Sequence, residues 1–156
     1  MTPTALHRWL DDTQIIRAIG RYFRALDEQE FADATFRQIL TADARVIRPN
    51  GDVMTGVASI VNSHARSFAR FEASQHLLTD HAVDVDGDAA SVRANLVAIH
   101  LWKGRPAAAT LLERSFSAGG VIRASMRRTS EGWRIAELSN RVLWRAGDFG
   151  TMLDTR

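Results

Sequence analysis

The sequence predicts an α+β domain in which three N-terminal helices pack on a strongly curved, mostly antiparallel sheet. Apolar residues recur with a helical period in the first half of the chain and with a period of two from residue 74 onward. Turn signals separate the later segments, as expected for long strands that follow one another in an antiparallel sheet. A Gly119-Gly120 pair inside one of these strands predicts a bulge at which the sheet bends.

The first half of the chain contains three stretches with helical periodicity. The first has one apolar stripe formed by Ile15, Ile19, Tyr22 and Leu26, with Ile16 and Phe23 beside it. The polar run 27–30 ends this helix, and a second short helix is predicted over 31–40, up to Thr41-Ala42-Asp43. A third helix is predicted after Gly56, with one face formed by Val57, Val61, His64, Phe68 and Phe71.

Strands account for the rest of the predicted domain. A short strand over 44–48, a turn at 49–52 and a return over 53–55 predict a hairpin before the third helix. Four long strands are predicted over 74–85, 89–102, 109–128 and 132–145. The turns between them are predicted at 86–88, 104–106 and 130–132.

Composition narrows the class of protein. The 156 residues, 46% hydrophobic and 24% charged, predict one domain over 1–156 in the range of soluble globular proteins. No apolar run is long enough to span a bilayer, and residues 1–12 lack the apolar core of a signal peptide, so a cytoplasmic location is expected. The chain has no cysteine, which excludes disulfides and thiolate metal sites.

Charge and motifs argue against nucleic acid, metal and nucleotide cofactors. The net charge is +2, and Arg127-Arg128 is the one basic pair, so nucleic-acid binding is not expected. The five histidines show no metal-ligand spacing, and no phosphate-binding glycine loop or nucleophile elbow is present. The sequence therefore predicts a protein without a metal or other cofactor.

Several short stretches occur in an order and spacing typical of one family. They are YFRALD at 22–27, ADA at 42–44, GVASI at 56–60, QHLLTD at 75–80, VDGDAA at 85–90 and GWRI at 132–135. Together they resemble the SnoaL-like members of the nuclear transport factor 2-like superfamily, over nearly the whole chain. The resemblance implies a cone-like α+β barrel with one internal pocket. The superfamily contains cofactor-free dehydratases, isomerases and cyclases, and also proteins that only bind partners.

Asp27 and His76 are the first candidate catalytic residues. The resemblance implies that the end of the first helix lies beside the first long strand, where an aspartate and a histidine form a dyad in related lyases. A neutral imidazole can abstract a proton, and a carboxylate on its other nitrogen fixes the tautomer and stabilises the imidazolium. The alternative is structural: Asp27 ends a helix and satisfies a buried strand histidine. Contact is expected in both cases.

Asp80 and His100 are the candidates for a second acid–base group. Asp80 follows His76 by four residues, so regular alternation puts both on one strand face, where Asp80 is either a pocket carboxylate or a rim residue. His100 shares its face with Val92, Ala94, Leu96, Ala98 and Trp102. A lone histidine on an apolar face is more often a core residue, but the resemblance to dehydratases also allows a second proton carrier.

Six further residues are predicted to contact a ligand. Tyr22 lies on the inner stripe of the first helix, and His64 on the third helix faces either the pocket or the core beneath it. Asn140 and Trp144 are predicted to share one face of the last strand. Relatives often have a tyrosine and an acidic residue at the positions that Ile122 and Ala124 occupy here. With Met126, these two residues predict an apolar lining on that face.

These observations predict a cofactor-independent acid–base enzyme of the dehydratase, isomerase or cyclase type. Its ligand is expected to be a small hydrophobic ring or polyketide-like molecule. The alternative is a non-catalytic module that binds a small molecule or a protein partner, such as a small subunit of a ring-hydroxylating oxygenase. The resemblance also implies a homodimer through the outer sheet face, where Arg93, Val97, Ile99 and Leu101 are predicted to lie.

Overall fold

The computed structural model describes residues 3–153 as helices packed on one curved, six-stranded sheet. The α-helices are α1 (Pro3–Asp27), α2 (Asp33–Arg37), α3 (Val57–Phe68) and α4 (Leu111–Arg114). The strands are β1 (Leu40–Ile47), β2 (Val53–Thr55), β3 (Phe71–Asp86), β4 (Ala89–Trp102), β5 (Ser115–Thr129) and β6 (Gly132–Gly147). A 3₁₀ turn spans Gly150–Leu153.

The sheet confirms the predicted fold class. Its strand order is β2-β1-β6-β5-β4-β3, and every pair is antiparallel except β1 with β6. The sheet does not close on itself, since β2 and β3 are its two edges. The barrel implied by the resemblance is therefore an open, curved sheet with helices on its inner face.

Helix α1 places its last residue, Asp27, beside β3. Its buried stripe runs from Ile15 to Leu26 and packs mainly on β3 and β6. The helix ends at Asp27, and Gln29 adopts a left-handed backbone with φ of 52°. The side-chain amide of Gln29 then donates to the carbonyl of Phe71 at 3.2 Å. The C-terminus of α1 is thereby tied to the first residue of β3.

The core lies between the helices and the inner sheet face. Alternate residues of β4 from Ala90 to His100 are buried, and the residues between them are more exposed. This alternation is the period of two that the sequence predicts. No helix within residues 3–153 is long and apolar enough to cross a membrane.

Three boundaries differ from those predicted. The second helix ends at Arg37, and Leu40 already pairs with Ile135 in the β1–β6 ladder. Phe71 begins β3 and so does not extend α3. A short helix, α4, precedes β5, where the sequence predicts a strand from residue 109. Its Thr110 and Glu113 form a reciprocal capping box, a spacing that is visible in the sequence.

The predicted Gly119-Gly120 bulge is confirmed, and both glycines are needed for close approach. The β5–β6 register shifts here, since Gly119 pairs with Trp144 and Gly120 with Val142. A Cβ at Gly119 would collide with the indole of Trp144, and a Cβ at Gly120 would collide with the carbonyl oxygen of Arg141. The extra residue on β6 reverses the alternation of the strand beyond it.

We expect Gly120→Ala to destabilise the fold by about 1–3 kcal/mol more than Gly119→Ala. The carbonyl of Arg141 cannot move without disturbing the ladder, whereas the Trp144 side chain is 48% exposed and can swing away. Urea denaturation measures the difference. Gly20→Ala is the control, because its Cβ meets nothing within 4 Å. Equal losses for the two bulge variants would contradict this account of the bulge.

Candidate functional site

Asp27 and His76 are in direct contact at the junction of α1 and β3. Oδ1 of Asp27 lies 2.5 Å from Nδ1 of His76, and Oδ2 accepts the backbone N–H of His76 at 3.0 Å. Both carboxylate oxygens therefore bind one residue, one through its ring and one through its backbone. A carboxylate held at two points in this way cannot rotate, so it fixes the plane of the imidazole.

This contact determines which ring nitrogen of His76 is available. A carboxylate only accepts hydrogen bonds, so Nδ1 carries a proton, and in the neutral ring the lone pair lies on Nε2. No residue in the described range 3–153 forms a hydrogen bond with Nε2. The side chain of His76 is 6% exposed, which keeps the dyad largely out of bulk water. The arrangement can take up a proton at Nε2 and stabilise the resulting imidazolium.

His100 lies next to the dyad. Its ring centroid is 5.3 Å from that of His76, and the two rings meet edge to face. Its Nδ1 is 2.8 Å from Oγ of Ser74, on the neighbouring strand β3. Burial, reinforced by the nearby His76, lowers the pKa of His100 to about 3. His100 is therefore a neutral imidazole at physiological pH.

Aromatic rings surround the two histidines. Together they form what we call the aromatic cluster: Phe23, Phe68, Phe71, Trp102, Phe116 and Phe149. Phe71 stacks on His100 with centroids 4.6 Å apart, and Phe116 lies at 4.7 Å from the same ring. The surroundings of the dyad are thus apolar and densely packed.

Two surface grooves lie away from the Asp27–His76 contact. One groove of about 280 Å³ lies between α1 and α2, beside Arg21 and Arg24. Another of about 270 Å³ lies on β3, β4 and β5, beside Arg93 and Arg123. Neither is lined by Asp27, His76 or His100. The ring of His76 is instead bordered by the rings of Phe23, Phe68 and His100.

Tyr22 and His64 form a second buried pair. The Tyr22 hydroxyl is 2.7 Å from Nε2 of His64, and burial raises the pKa of Tyr22. Burial, together with the charge of Arg48, lowers the pKa of His64 to about 4. Phe68 lies between this pair and the dyad, with centroids 6.2 Å from His64 and 6.1 Å from His76. The pair therefore lies behind one ring of the aromatic cluster.

The expectation that Asp80 lies in a pocket wall is wrong. The register of β3 shifts between Thr79 and Ala82, and Asp80 takes a left-handed φ of 55°. Its side chain is 74% exposed and binds Arg93 at 2.9 Å. The irregularity breaks the alternation on which the prediction rested, so Asp80 is far more accessible to solvent than His76.

Trp144 also lies elsewhere than predicted. The bulge opposite Gly119-Gly120 places the ring of Trp144 against Gly119. Gly119 pairs with Val97 of β4, which lies on the outer face, so Trp144 lies on the outer face too. Asn140 stays half-buried beside the buried Ile122, so Asn140 and Trp144 do not share a face. A register shift of this kind cannot be read from the spacing of residues 140 and 144 alone.

Ile122 and Met126 are buried on the inner face, as the apolar lining requires. They pair with Ala94 and Ala90 of β4, whereas His76 pairs with Ala98. The predicted lining therefore occupies other levels of the sheet than the dyad. Within residues 3–153, no group of three or more histidine, aspartate, glutamate or cysteine side chains could hold a metal ion.

Sequence reasoning missed three residues that shape this region. Ser74 could have been found, because it precedes His76 by two residues and so shares its strand face. Arg48 binds the hydroxyls of Ser63 and Ser67 on α3, and nothing in its local sequence indicates this. Phe149 lies in the C-terminal segment, for which the sequence predicts no position.

We expect the free energy of unfolding to fall as pH drops from about 6.5 toward about 4. Both buried histidines titrate near 6.5 when unfolded, but their folded pKa values are lowered to about 4 for His64 and about 3 for His100. Below 6.5 the unfolded chain binds protons that the folded chain cannot bind. Each histidine then lowers the free energy of unfolding by about 1.4 kcal/mol for each unit that the pH falls.

Urea denaturation between about pH 7 and about pH 5 measures this slope. His100→Gln is expected to give a shallower fall than the unaltered chain, because it removes one of the two titrating groups. His7→Gln, at an exposed position on α1, is the matched control and is expected to keep the original slope. An unchanged slope in His100→Gln would show that folding does not lower the pKa of His100, which contradicts this account.

A family model described as a SnoaL-like domain matches residues 7–139, most of the chain. No curated protein matches the sequence. A protein from Kribbella flavida, Kfla4162, has a similar structure, with a TM-score of 0.78 and 24% identity over 88% of this chain and 94% of that one.

Two other solved structures are similar at lower identity. One, from Novosphingobium aromaticivorans, is proposed to be a scytalone dehydratase; its TM-score is 0.76 at 17% identity, covering 92% of this chain and 91% of that one. The other is the hexachlorocyclohexane dehydrochlorinase LinA type 2, with a TM-score of 0.78 at 13% identity and 94% of each chain covered. At these identities the similarity establishes the fold alone.

Proposed function

Because the chain belongs to the SnoaL-like domain family, we propose that it is a cofactor-independent acid–base enzyme acting on a small hydrophobic molecule. The reaction would be a dehydration, an isomerisation or a ring closure. Each of these begins with removal of a proton from carbon next to a carbonyl or a leaving group. The observation that carries the proposal is the Asp27–His76 contact, with Nε2 of His76 left free.

In this proposal His76 is the general base. Its Nε2 takes the proton from the substrate carbon, and the electron pair of that bond moves toward the carbonyl or expels the leaving group. Asp27 is a positioning residue that holds Nδ1–H and stabilises the imidazolium through a charge-assisted hydrogen bond. The imidazolium then returns the proton to the departing oxygen or to another carbon, so the protein ends the cycle unchanged.

His100 is proposed as the second polar group of the site. As a neutral ring it neither repels the imidazolium that forms on His76 nor competes with it for Asp27. Its Nε2 has no hydrogen-bonding partner among residues 3–153 and can bind a substrate oxygen. Whether Nε2 donates or accepts depends on the tautomer that Ser74 selects at Nδ1. Asp80 and Trp144 have no part in this site.

The apolar surroundings support a hydrophobic substrate. The aromatic cluster offers ring faces and few hydrogen-bonding groups, which suits a flat, weakly polar molecule. Exclusion of water would also strengthen the interaction between a developing oxyanion and nearby donors. Names of similar structures, a proposed scytalone dehydratase and a dehydrochlorinase, agree with elimination chemistry in this fold.

The dense packing favours a second candidate, a non-catalytic module. If the aromatic cluster never opens, Asp27 and His76 are a satisfied structural pair, and the protein acts through its surface. The expected homodimer stays a prediction. The outer face suits it, since Leu77 is 46% exposed there and Val97, Ile99 and Leu101 are half-buried. The same face would serve a different protein partner in the non-catalytic alternative.

We expect the protein to catalyse hydrogen–deuterium exchange at carbons next to the carbonyl of flat ring ketones such as 2-tetralone. Proton abstraction by His76 in deuterated buffer replaces the substrate hydrogen even when no later step follows. His76→Gln is expected to lower the enzyme-dependent rate by about 10²–10⁴-fold, the usual contribution of a positioned base. Proton NMR of the ketone measures the exchange.

Two further variants separate catalysis from folding. Asp27→Asn is expected to lose most of the rate while the protein stays folded, because an amide can hold Nδ1 in the wrong protonation state. His81→Gln removes a histidine of the same strand that has no role in the site and is expected to exchange at the original rate. Exchange that is equal in the unaltered protein, His76→Gln and buffer would favour the non-catalytic module.

A further inference from the structure

The C-terminal segment after β6 packs against the aromatic cluster. We name residues 148–153 the C-terminal strap. The ring of Phe149 lies on Phe116 with centroids 4.5 Å apart and an interplanar angle of 39°. Phe116 in turn packs on His100, with centroids 4.7 Å apart. Only one ring therefore separates the strap from His100.

Most of the polar contacts of the strap are made by one residue, Asp148. Its backbone N–H donates to the carbonyl of Ser115 at 2.9 Å, and its carbonyl accepts the indole N–H of Trp102 at 2.7 Å. Its carboxylate accepts from Arg105 at 2.5 Å and from the backbone N–H of Gly150 at 2.7 Å. Asp148 is thus a latch between the strap and the end of β4.

The strap has features of a segment that can open. Gly147, immediately before it, has a left-handed φ of 90° that other residues rarely adopt. The Arg105–Asp148 ion pair is more than a third exposed on both sides, and such pairs contribute little stability. Phe149 is only partly buried and packs against the core. Apart from the Asp148–Ser115 hydrogen bond, which continues the β5–β6 pairing, the strap is held by side-chain contacts, and these open locally at lower cost than paired strands.

We propose that the C-terminal strap is a lid over the His76–His100 site, held shut by Asp148 and opened by rotation about Gly147. Opening lifts Phe149 from Phe116 and frees one side of the aromatic cluster beside His100. This inference rests on the proposed function, because it presumes that a small apolar ligand reaches that site. Opening would also provide a route to the dyad, which lines neither of the two grooves described above.

The chain has no cysteine, so the lid can be locked at one chosen place. The variant Arg105→Cys/Asp148→Cys puts two thiols where the ion pair stood. A short dithiol-reactive cross-linker then ties the strap to the loop after β4. The matched control is the same variant with each thiol capped separately by N-ethylmaleimide, which removes the latch without tying the strap.

Binding of 2-naphthol, a flat neutral fluorescent ring, is followed by stopped flow in both forms. We expect the association rate of the cross-linked form to be about tenfold or more below that of the capped form, because a tied strap cannot open to admit the ring. Mass spectrometry verifies the cross-link. Circular dichroism verifies that both forms are folded.

The outcomes separate the lid from the proposed function. Equal association rates in the two forms would overturn the lid and leave the ligand site intact. If 2-naphthol binds neither form nor the unaltered protein, both the ligand site and the lid fail. Slow binding to the capped form and fast binding to the cross-linked form would show that the strap has to be in place for binding, which also overturns the lid.

Native-state hydrogen exchange tests the motion without any ligand. In Arg105→Ala the indole N–H of Trp102 and the backbone N–H of Asp148 are expected to exchange a few-fold faster, since one latch contact is gone. The indole N–H of Trp133, bound to Asp11, is the internal control. Arg37→Ala removes an exposed ion pair elsewhere and is expected to change neither rate. Unchanged exchange in Arg105→Ala would mean that Arg105 does not hold the strap.

Discussion

Two hydrogen bonds between the Asp27 carboxylate and His76 join the end of α1 to β3. One oxygen binds the backbone of β3 and the other binds the ring that β3 presents, while the carboxylate itself ends α1. The contact is therefore both a tertiary link and a chemical arrangement. It fixes the helix end on the strand, and it selects the nitrogen of His76 that stays free.

The three inner histidines have different hydrogen-bonding partners. His64 and His100 sit among aromatic rings with neutral hydroxyl partners, Tyr22 and Ser74, and burial lowers the pKa of both. His76 alone has a carboxylate partner. The Asp27 carboxylate is therefore what distinguishes His76 from the other two rings as the candidate base. The fold is also expected to lose stability in acid, because His64 and His100 resist protonation while the chain is folded.

Periodicity predicted the elements well because it follows directly from burial. The stripe of α1, the alternation of β4 and the Gly119-Gly120 bulge all appear where the spacing of apolar residues and glycines indicates. The Asp27–His76 contact, in contrast, is implied by the family resemblance alone. Residues 49 apart cannot be brought together by any local pattern.

The site predictions failed where strand alternation is interrupted. Strand alternation predicts inner faces for Asp80 and Trp144, but each lies at a register shift that counting residues cannot detect. Such shifts depend on the path of the neighbouring strand and on curvature of the whole sheet. The position of Phe149 is also not predictable from local sequence. It depends on the contacts of Asp148 with Trp102 and Arg105, which are distant in sequence.

The most direct test of the account is the protonation state of the His76 ring, measured by ¹⁵N NMR of the neutral side chain. The contact with Asp27 predicts a proton on Nδ1 and a bare Nε2, and it predicts that Asp27→Asn changes this pattern. A proton on Nε2 with a bare Nδ1 would contradict it. In that case the free nitrogen would face the carboxylate, and His76 could not serve as the base.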